Sequence, residues 1–317
     1  MNHGSNIGNI LLKYAMFIQL KSLGFIPYMI GTNIHQRDIS FLKKFTNCRI
    51  IKNNFTEVKR KEYDYLIVNS DQTWRKFDRH FYDIGFLKFA EKWDIPKFIY
   101  GASLGFSKWK MTKLDVNIAK NLLKNFTGIS VREKGSVNLV KIHFGIKPLL
   151  VLDPTLLIDK KYYLNIIRNF EPNNKIKEKY IFTYIFKKEN NTKAFINYAS
   201  KKLGYKVYNV RLREEKSIEK FIYGIVNCNA VITNSFHGTI FSIIFKKPFV
   251  SFIFQDSANE RLISLKRLLK IERRIVEYNQ FPDVNLLTLP LNLDYTLLKS
   301  LRTKSINYIK KNLGINK

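Results

Sequence analysis

Acidic residues are scarce in this chain. Of 317 residues, 25 are Asp or Glu against 55 Lys or Arg, a formal net charge of +30 at pH 7. Such a surface attracts anions: phosphorylated metabolites, anionic lipid, nucleic acid. Many of the lysines stand beside Asn and Ile, the pattern of a proteome drawn from A/T-rich codons, so composition accounts for part of the excess. Cysteine is scarcer still. Cys48 and Cys228 are too few and too far apart for a disulfide framework or a zinc pattern, which points to a reducing compartment. Long apolar runs are wanting too. None approaches the roughly 20 residues that cross a bilayer. The opening MNHGSNIGN has neither the basic n-region nor the apolar h-region of a secretory signal.

Several chemical motifs are also missing. There is no Walker loop, no HExxH, no Gly-Xaa-Ser-Xaa-Gly elbow, no GxGxxG after a strand and no zinc spacing. Basic and aromatic residues are not interleaved as in RNA-binding modules, so nucleic acid is not expected as a partner despite the charge. What remains is an ordinary globular composition, 45% hydrophobic. The length suits two domains of about 150 residues each.

Strand-like and helix-like segments alternate through most of the chain. Leu11–Leu23 has a helical pattern stopped by Gly24. Phe25–Ile30, Tyr65–Val68, Phe98–Gly101, Gly128–Val131 and Leu149–Leu152 are strand-like, with Lys113–Lys124 and Glu133–Ile142 helical among them. After Pro154 the alternation restarts. Tyr180–Phe186, Tyr205–Val210 and Val231–Thr233 read as strands; Thr192–Leu203, Ile218–Asn227 and a run through Ile240–Phe245 read as helices. This alternation predicts an α/β fold with mainly parallel sheets. Asp153-Pro154 is the expected hinge. The domains are therefore placed at 1–154 and 155–317, two doubly wound Rossmann-like domains facing across a cleft. The Asn6–Gly8 loop and its helix call for a preceding strand, yet only five residues stand ahead of Asn6. Either the first strand of the N-terminal domain is missing or it lies upstream. Leu297–Leu313 carries Leu298, Leu301, Ile309 and Leu313 at helical spacing among many lysines, which suits a packed helix with a basic outer face.

Residues 231–250, VITNSFHGTIFSIIFKKPFV, are the most telling block. Ser235, Phe236, His237 and Gly238 fall on a strand-to-helix turn, where backbone N–H groups favour anions. Gly238 would let a ligand approach the backbone, and His237 adds the side-chain type that can titrate near neutral pH. A buried structural histidine is the competing reading. Arg132, after the strand in ISVREKGS, suits bidentate binding of carboxylate or phosphate; pairing with Glu133 or solvent is the alternative. Asp71, Gln72 and Trp74 form a polar cluster with an aromatic that could hold a sugar. An Asp71 cap with Trp74 in the core is the plainer reading. Ser103 lies in GASLG after another strand. Asp153 reads as an Asp-Pro turn before it reads as a base. Arg261 sits on a basic stretch whose leucines give it a buried face.

Together these blocks resemble the polysaccharide pyruvyl transferase family. The resemblance runs from about Asn6 to Val276 and covers Asn6-Ile7-Gly8, SDQTW at 70–74, GASLG at 101–105, SVREKGS at 130–136, VLDPTLL at 151–157, TNSFHGT at 233–239, the KPFV ending at Val250 and ERLISLKRLLKIERRIV. Asn9 stands where many members have an acidic or small residue, and Asn69 replaces a glycine common before SDQ-W. The resemblance implies a fold like the GT-B glycosyltransferases and transfer of pyruvate from phosphoenolpyruvate to a sugar as a ketal. No cofactor is expected, phosphoenolpyruvate being the donor substrate, and no metal is required, because arginines can neutralise the leaving phosphate. The C-terminal domain would take the donor and the N-terminal domain the acceptor. His237 is the expected catalytic group. Arg132 and Arg261 are the expected cations for the donor, with Ser235, Phe236, Gly238 and Thr239 supplying the helix start. Asp71, Gln72, Trp74, Ser103, Asn6 and Gly8 complete the expected substrate-binding set. The acceptor is expected to be a sugar or lipid-linked oligosaccharide, with the enzyme cytoplasmic or peripheral at the inner face of the plasma membrane, where a basic surface favours anionic lipid. Two rival readings are a GT-B-type glycosyltransferase using a nucleotide sugar and a catalytically inactive binding protein in envelope assembly.

Overall fold

The computed structural model describes residues 7–31, 36–50, 55–69, 71, 73–74, 81–105, 109, 111–172, 177–186, 189–210, 217–254 and 259–315. The chain divides into two compact units, one of Gly8–Leu157 with Thr296–Lys317 and one of Ile158–Tyr295. Each is α/β with parallel strands.

The first unit contains α1 (Ile7–Ser22), β1 (Met29–Gly31), α2 (Gln36–Phe45), β2 (Cys48–Ile50), β3 (Leu66–Val68), α3 (Phe81–Phe86), β4 (Lys97–Ala102), α4 (Lys113–Leu123), β5 (Gly128–Val131), α5 (Lys134–Phe144) and β6 (Leu149–Leu150). Among the described residues no strand precedes α1, and the strands form two separate sheets, β1-β2 and β3-β4-β5-β6. Central β4 is buried along its whole length, as a parallel strand covered on both faces must be. Its side chains join Trp74, Phe86, Val131, Val140 and Phe144 in one apolar cluster. Helix α4 starts with a capping box in which Thr112 and Asp115 satisfy each other's backbone N–H groups.

The second unit contains α6 (Lys160–Ile166), β7 (Tyr180–Tyr184), α7 (Asn190–Leu203), β8 (Lys206–Asn209), α8 (Ser217–Asn227), β9 (Ala230–Thr233), α9 (Phe236–Ile244), β10 (Phe249–Ile253), α10 (Glu260–Leu269) and β11 (Ile275–Glu277). The five strands lie in the order β11-β10-β9-β7-β8. Strand β9 is central and wholly buried. Thr233 at its carboxyl end lies opposite Tyr184 of β7 and Ser251 of β10. In a parallel sheet this is the end where the connecting turns build ligand sites.

The units change at Leu157, close to the expected residue 154, but the C-terminal segment is grouped differently from the expected 155–317. The last helix, α11 (Tyr295–Asn312), does not belong with the second unit. Tyr308 Oη donates to the Ile99 carbonyl at 2.8 Å, the Leu152 N–H donates to Ser305 Oγ at 3.0 Å, and Arg302 Nε donates to the Leu156 carbonyl at 2.7 Å. Helix α11 thus closes the first unit with its buried residues Leu298, Ser305, Tyr308 and Ile309. Apolar spacing predicts such a helix but not the sheet on which it docks.

Candidate active site

In the second unit, the turn after β9 is built around Thr233. Its hydroxyl donates to the Tyr184 carbonyl at 2.6 Å and accepts from the Ser235 N–H at 3.0 Å. Ser235 then caps α9, its Oγ accepting from the Gly238 N–H at 3.2 Å. The Thr239 N–H donates to the Ser235 carbonyl at 3.0 Å. Three of the N–H groups expected to face a ligand are therefore spent inside the turn. Asn234 Oδ1 accepts from the Phe186 N–H at 2.9 Å and ties the turn to the end of β7.

His237 is 2% exposed at the start of α9, its ring 5.2 Å from that of Phe236 and nearly perpendicular to it. The Arg261 guanidinium lies over the Phe236 ring, with Cζ 5.3 Å from the centroid. The aromatic face holds a cation in place without neutralising it. Asn259 precedes Arg261 and exchanges hydrogen bonds with the backbone of Phe254, which anchors the start of α10 beside β10. The chain thus gathers an arginine, a histidine and a capped helix start.

In the first unit, a second polar group stands at the carboxyl ends of four neighbouring strands. Asp71 follows β3, Ser103 follows β4, Arg132 and Glu133 follow β5, and Asp153 follows β6. Arg132 pairs with Asp71 and Asp153, and its Nε lies 3.5 Å from Glu133 Oε1. Its side chain is 1% exposed. Burial pulls its pKa down, but Asp71, Asp153 and Glu133 outweigh that and raise it, so it stays cationic at any ordinary pH. Asp153 Oδ1 also accepts from the Thr155 N–H at 3.0 Å and hydroxyl at 2.6 Å, as an Asp-Pro turn requires. Glu133 Oε2 accepts from Ser136 Oγ at 2.6 Å. Among the described residues no group of His, Cys, Asp and Glu could hold a metal ion.

A sequence model of the family described as polysaccharide pyruvyl transferase matches residues 6–255. The chain belongs to the polysaccharide pyruvyl transferase family. No curated protein matches it. Among solved structures it is similar to UDP-GlcNAc 2-epimerase from Neisseria meningitidis bound to UDP-GlcNAc, with a TM-score of 0.55 and 14% identity over 98% of this chain and 92% of that one. HepE from Anabaena, in complex with UDP and glucose, gives a TM-score of 0.46 at 9% identity, covering 98% and 94%. MurG from Acinetobacter baumannii gives 0.45 at 10% identity, covering 95% and 92%. The epimerase likeness is one of fold, and it agrees with the GT-B-like α/β architecture expected from the sequence.

Within this pyruvyl transferase chain several expected site residues do other work. Trp74 is not a platform for a sugar: it is fully buried, donates from Nε1 to the Gly85 carbonyl at 3.0 Å and stacks on Phe86 at 5.5 Å. Nor does Gly238 make room for a ligand. A Cβ there would lie 2.4 Å from Thr233 Oγ1, so the glycine exists to let α9 settle against the end of β9. Thr239 is buried, its hydroxyl 2.7 Å from Ser251 Oγ, and links α9 to β10. Arg132 is committed to carboxylates and pairs with far more than Glu133 or solvent. Gly8 is buried in the first turn of α1. Asn6 and Gln72 lie outside the described residues. Sequence reasoning missed Thr233 as the residue around which the turn after β9 is built; a Thr-Asn-Ser run ending a buried strand was the available signal. It also missed that the Asp-Pro and Arg-Glu pairs end neighbouring strands β5 and β6.

Proposed function

We propose that this chain transfers pyruvate from phosphoenolpyruvate to two hydroxyls of a sugar in a cell-surface polysaccharide precursor. The product is a pyruvate ketal, and phosphate is released. Family membership over residues 6–255 supports the reaction class. The observation that carries the donor assignment is Arg261 held over Phe236 beside His237 at the start of α9. The donor bears a carboxylate and a phosphate, and a guanidinium matches either one bidentately. The partial positive charge at the helix start adds to the attraction.

His237 is assigned as the proton donor to C3 of the enol. Protonation turns C3 into a methyl group and leaves C2 cation-like. One sugar hydroxyl bonds to C2. The C2–O bond to phosphate then breaks with its electron pair on oxygen, and the second hydroxyl closes the ketal. One hydroxyl proton balances the methyl, and the other leaves with hydrogen phosphate. A positioned acid or base typically contributes about 10²–10⁴-fold. A lipid-linked acceptor at an anionic inner membrane face suits the +30 surface. Among the described residues no helix is long and apolar enough to cross a membrane.

The test is phosphate release from phosphoenolpyruvate across a panel of lipid-linked and aryl hexosides, with the ketal methyl followed by NMR. Sugar-dependent release that His237→Ala and Arg261→Ala both abolish is expected. Sugar transfer from a nucleotide sugar, without release from phosphoenolpyruvate, would overturn the proposal in favour of a glycosyltransferase.

A further inference from the structure

The amino ends of the strands in the first unit form a face of another kind. Tyr28, Asn47 and Tyr65 stand immediately before β1, β2 and β3. Helix α1 ends at a left-handed Gly24, with the Phe25 N–H returning to the Leu20 carbonyl at 3.2 Å. The loop that follows reads Phe25-Ile26-Pro27-Tyr28. Phe25 packs edge-on against Tyr65 with 5.8 Å between ring centroids, and Tyr28 against Tyr63 with 6.5 Å. Pro27 fixes its own φ. Ile26 is thus held in place from both sides, yet it is 75% exposed, and Tyr28 is 57% exposed. Folding gains nothing from apolar surface presented to water in this way. Basic residues surround the loop. Lys21 is exposed in the last turn of α1. The end of α11 lies against Tyr65, whose hydroxyl donates to the Leu313 carbonyl at 3.1 Å, and this brings Lys310 and Lys311 to the same face. A cavity of about 580 Å³ opens beside Tyr28 and is lined also by Lys43, Asn47, Arg49 and Tyr63. Of the acidic residues there, Glu62 is paired with Arg49 at 2.7 Å, and Asp64 stands exposed between Tyr63 and Tyr65. Lys21, Lys43, Lys310 and Lys311 outweigh it.

We propose that this face docks on an anionic bilayer, with Ile26 and Tyr28 entering the headgroup boundary and Lys21, Lys43, Lys310 and Lys311 meeting anionic headgroups. This goes beyond the reaction proposed above and names the surface by which the enzyme reaches a membrane. Each part of the face suits such an interface. A tyrosine ring sits well at headgroup level. An aliphatic side chain gains by leaving water. Each basic group near the surface adds to the attraction of anionic lipid. A protein partner fits less well, because a stable protein interface needs about 1,000 Å² or more of complementary surface. Two exposed apolar side chains offer far less than that. The polar turn around Arg132 lies at the opposite ends of the strands, so docking holds it clear of the lipid.

The experiment is sedimentation of the protein with vesicles of phosphatidylcholine alone and of phosphatidylcholine mixed with phosphatidylglycerol, with neither donor nor sugar present. Wild type should sediment with the mixed vesicles and not with the neutral ones. It should be released in about 1 M salt, where the Debye length falls to about 3 Å. Ile26→Glu should weaken binding about tenfold or more, and Lys43→Glu about as much at low salt. Ile142→Glu replaces an apolar residue of α5 that is 72% exposed, and it should bind as wild type does. In Ile26→Trp the added indole should be quenched by brominated phosphatidylcholine in the mixed vesicles. All these positions are exposed, and circular dichroism checks that each variant folds. Three results would overturn the proposal: no binding of wild type to mixed vesicles, unchanged binding in Ile26→Glu, or an Ile26→Trp indole that escapes quenching. Self-association that Ile26→Glu abolishes, without vesicle binding, would overturn it in favour of a second copy of the chain. Turnover of phosphoenolpyruvate with a soluble aryl hexoside should be equal in Ile26→Glu and wild type. Vesicle binding needs no turnover, so a failure of lipid binding and a failure of the transferase reading are told apart.

Discussion

The chain has two polar turns at the carboxyl ends of parallel strands, and they are built on opposite principles. After β9, hydroxyls and amides satisfy one another, and a guanidinium rests on an aromatic face. After β3, β5 and β6, charge is met by charge, with one arginine among three carboxylates. The first arrangement sets its cation on an aromatic face. The second spends its cation on buried carboxylates. A buried ion pair is costly to break because the surviving partner stays desolvated, whereas a neutral cap costs only its hydrogen bond.

That contrast is open to measurement. The largest effect should come from Arg132→Ala, which strands three buried carboxylates and should destabilise the protein by about 3–5 kcal/mol in denaturant unfolding. A loss below about 1 kcal/mol would mean that the cluster is not a buried ion-pair network. Next comes Gly238→Ala. Its added Cβ meets Thr233, and the expected cost is about 1–3 kcal/mol. Removing the Thr233 hydroxyl in a double variant should recover part of this; full additivity would argue against the contact. Ser235→Ala should cost about 1 kcal/mol by loss of the cap, with Ser235→Asp close to wild type.

A control away from both turns has no effect at neutral pH and acts only in alkali. Burial pushes the Cys228 thiol from its usual 9.0 up to about 12, against a smaller opposing pull from Lys247. Between those values the unfolded chain loses a proton that the native one keeps. Stability from this group is therefore complete below pH 9 and falls as pH rises toward 12. Cys228→Ala should remove that alkaline component, as read from thermal unfolding across pH 8–11.

Much of the architecture was legible because buried strands and amphipathic helices leave periodic traces. Gly128–Val131 has the bounds predicted for it, and Lys113–Leu123 lies within one residue of its prediction. Short β2 and the helices α2, α3 and α6 left no comparable trace. Phe25–Ile30 read as a strand, yet only Met29–Gly31 pairs, because a strand needs a partner as well as a pattern. In the candidate site, the strand-to-helix turn at Ser235 was visible from the apolar runs on either side of it. The burial of Trp74 agrees with the plainer reading of SDQTW, a core anchor, over the sugar cradle that the family resemblance implied.

Composition and motif order determined by themselves that this is an α/β chain of the pyruvyl transferase family with a helix start at Ser235. Those properties live in local spacing, which the linear sequence displays. Tertiary structure alone decided that α11 closes the first unit and that Gly238 faces Thr233. It alone joined Arg132 to Asp71 and Asp153, which lie 61 and 21 residues away in the chain. Those depend on which strands become neighbours, and neighbourhood across a sheet is set by long-range pairing that no local pattern records.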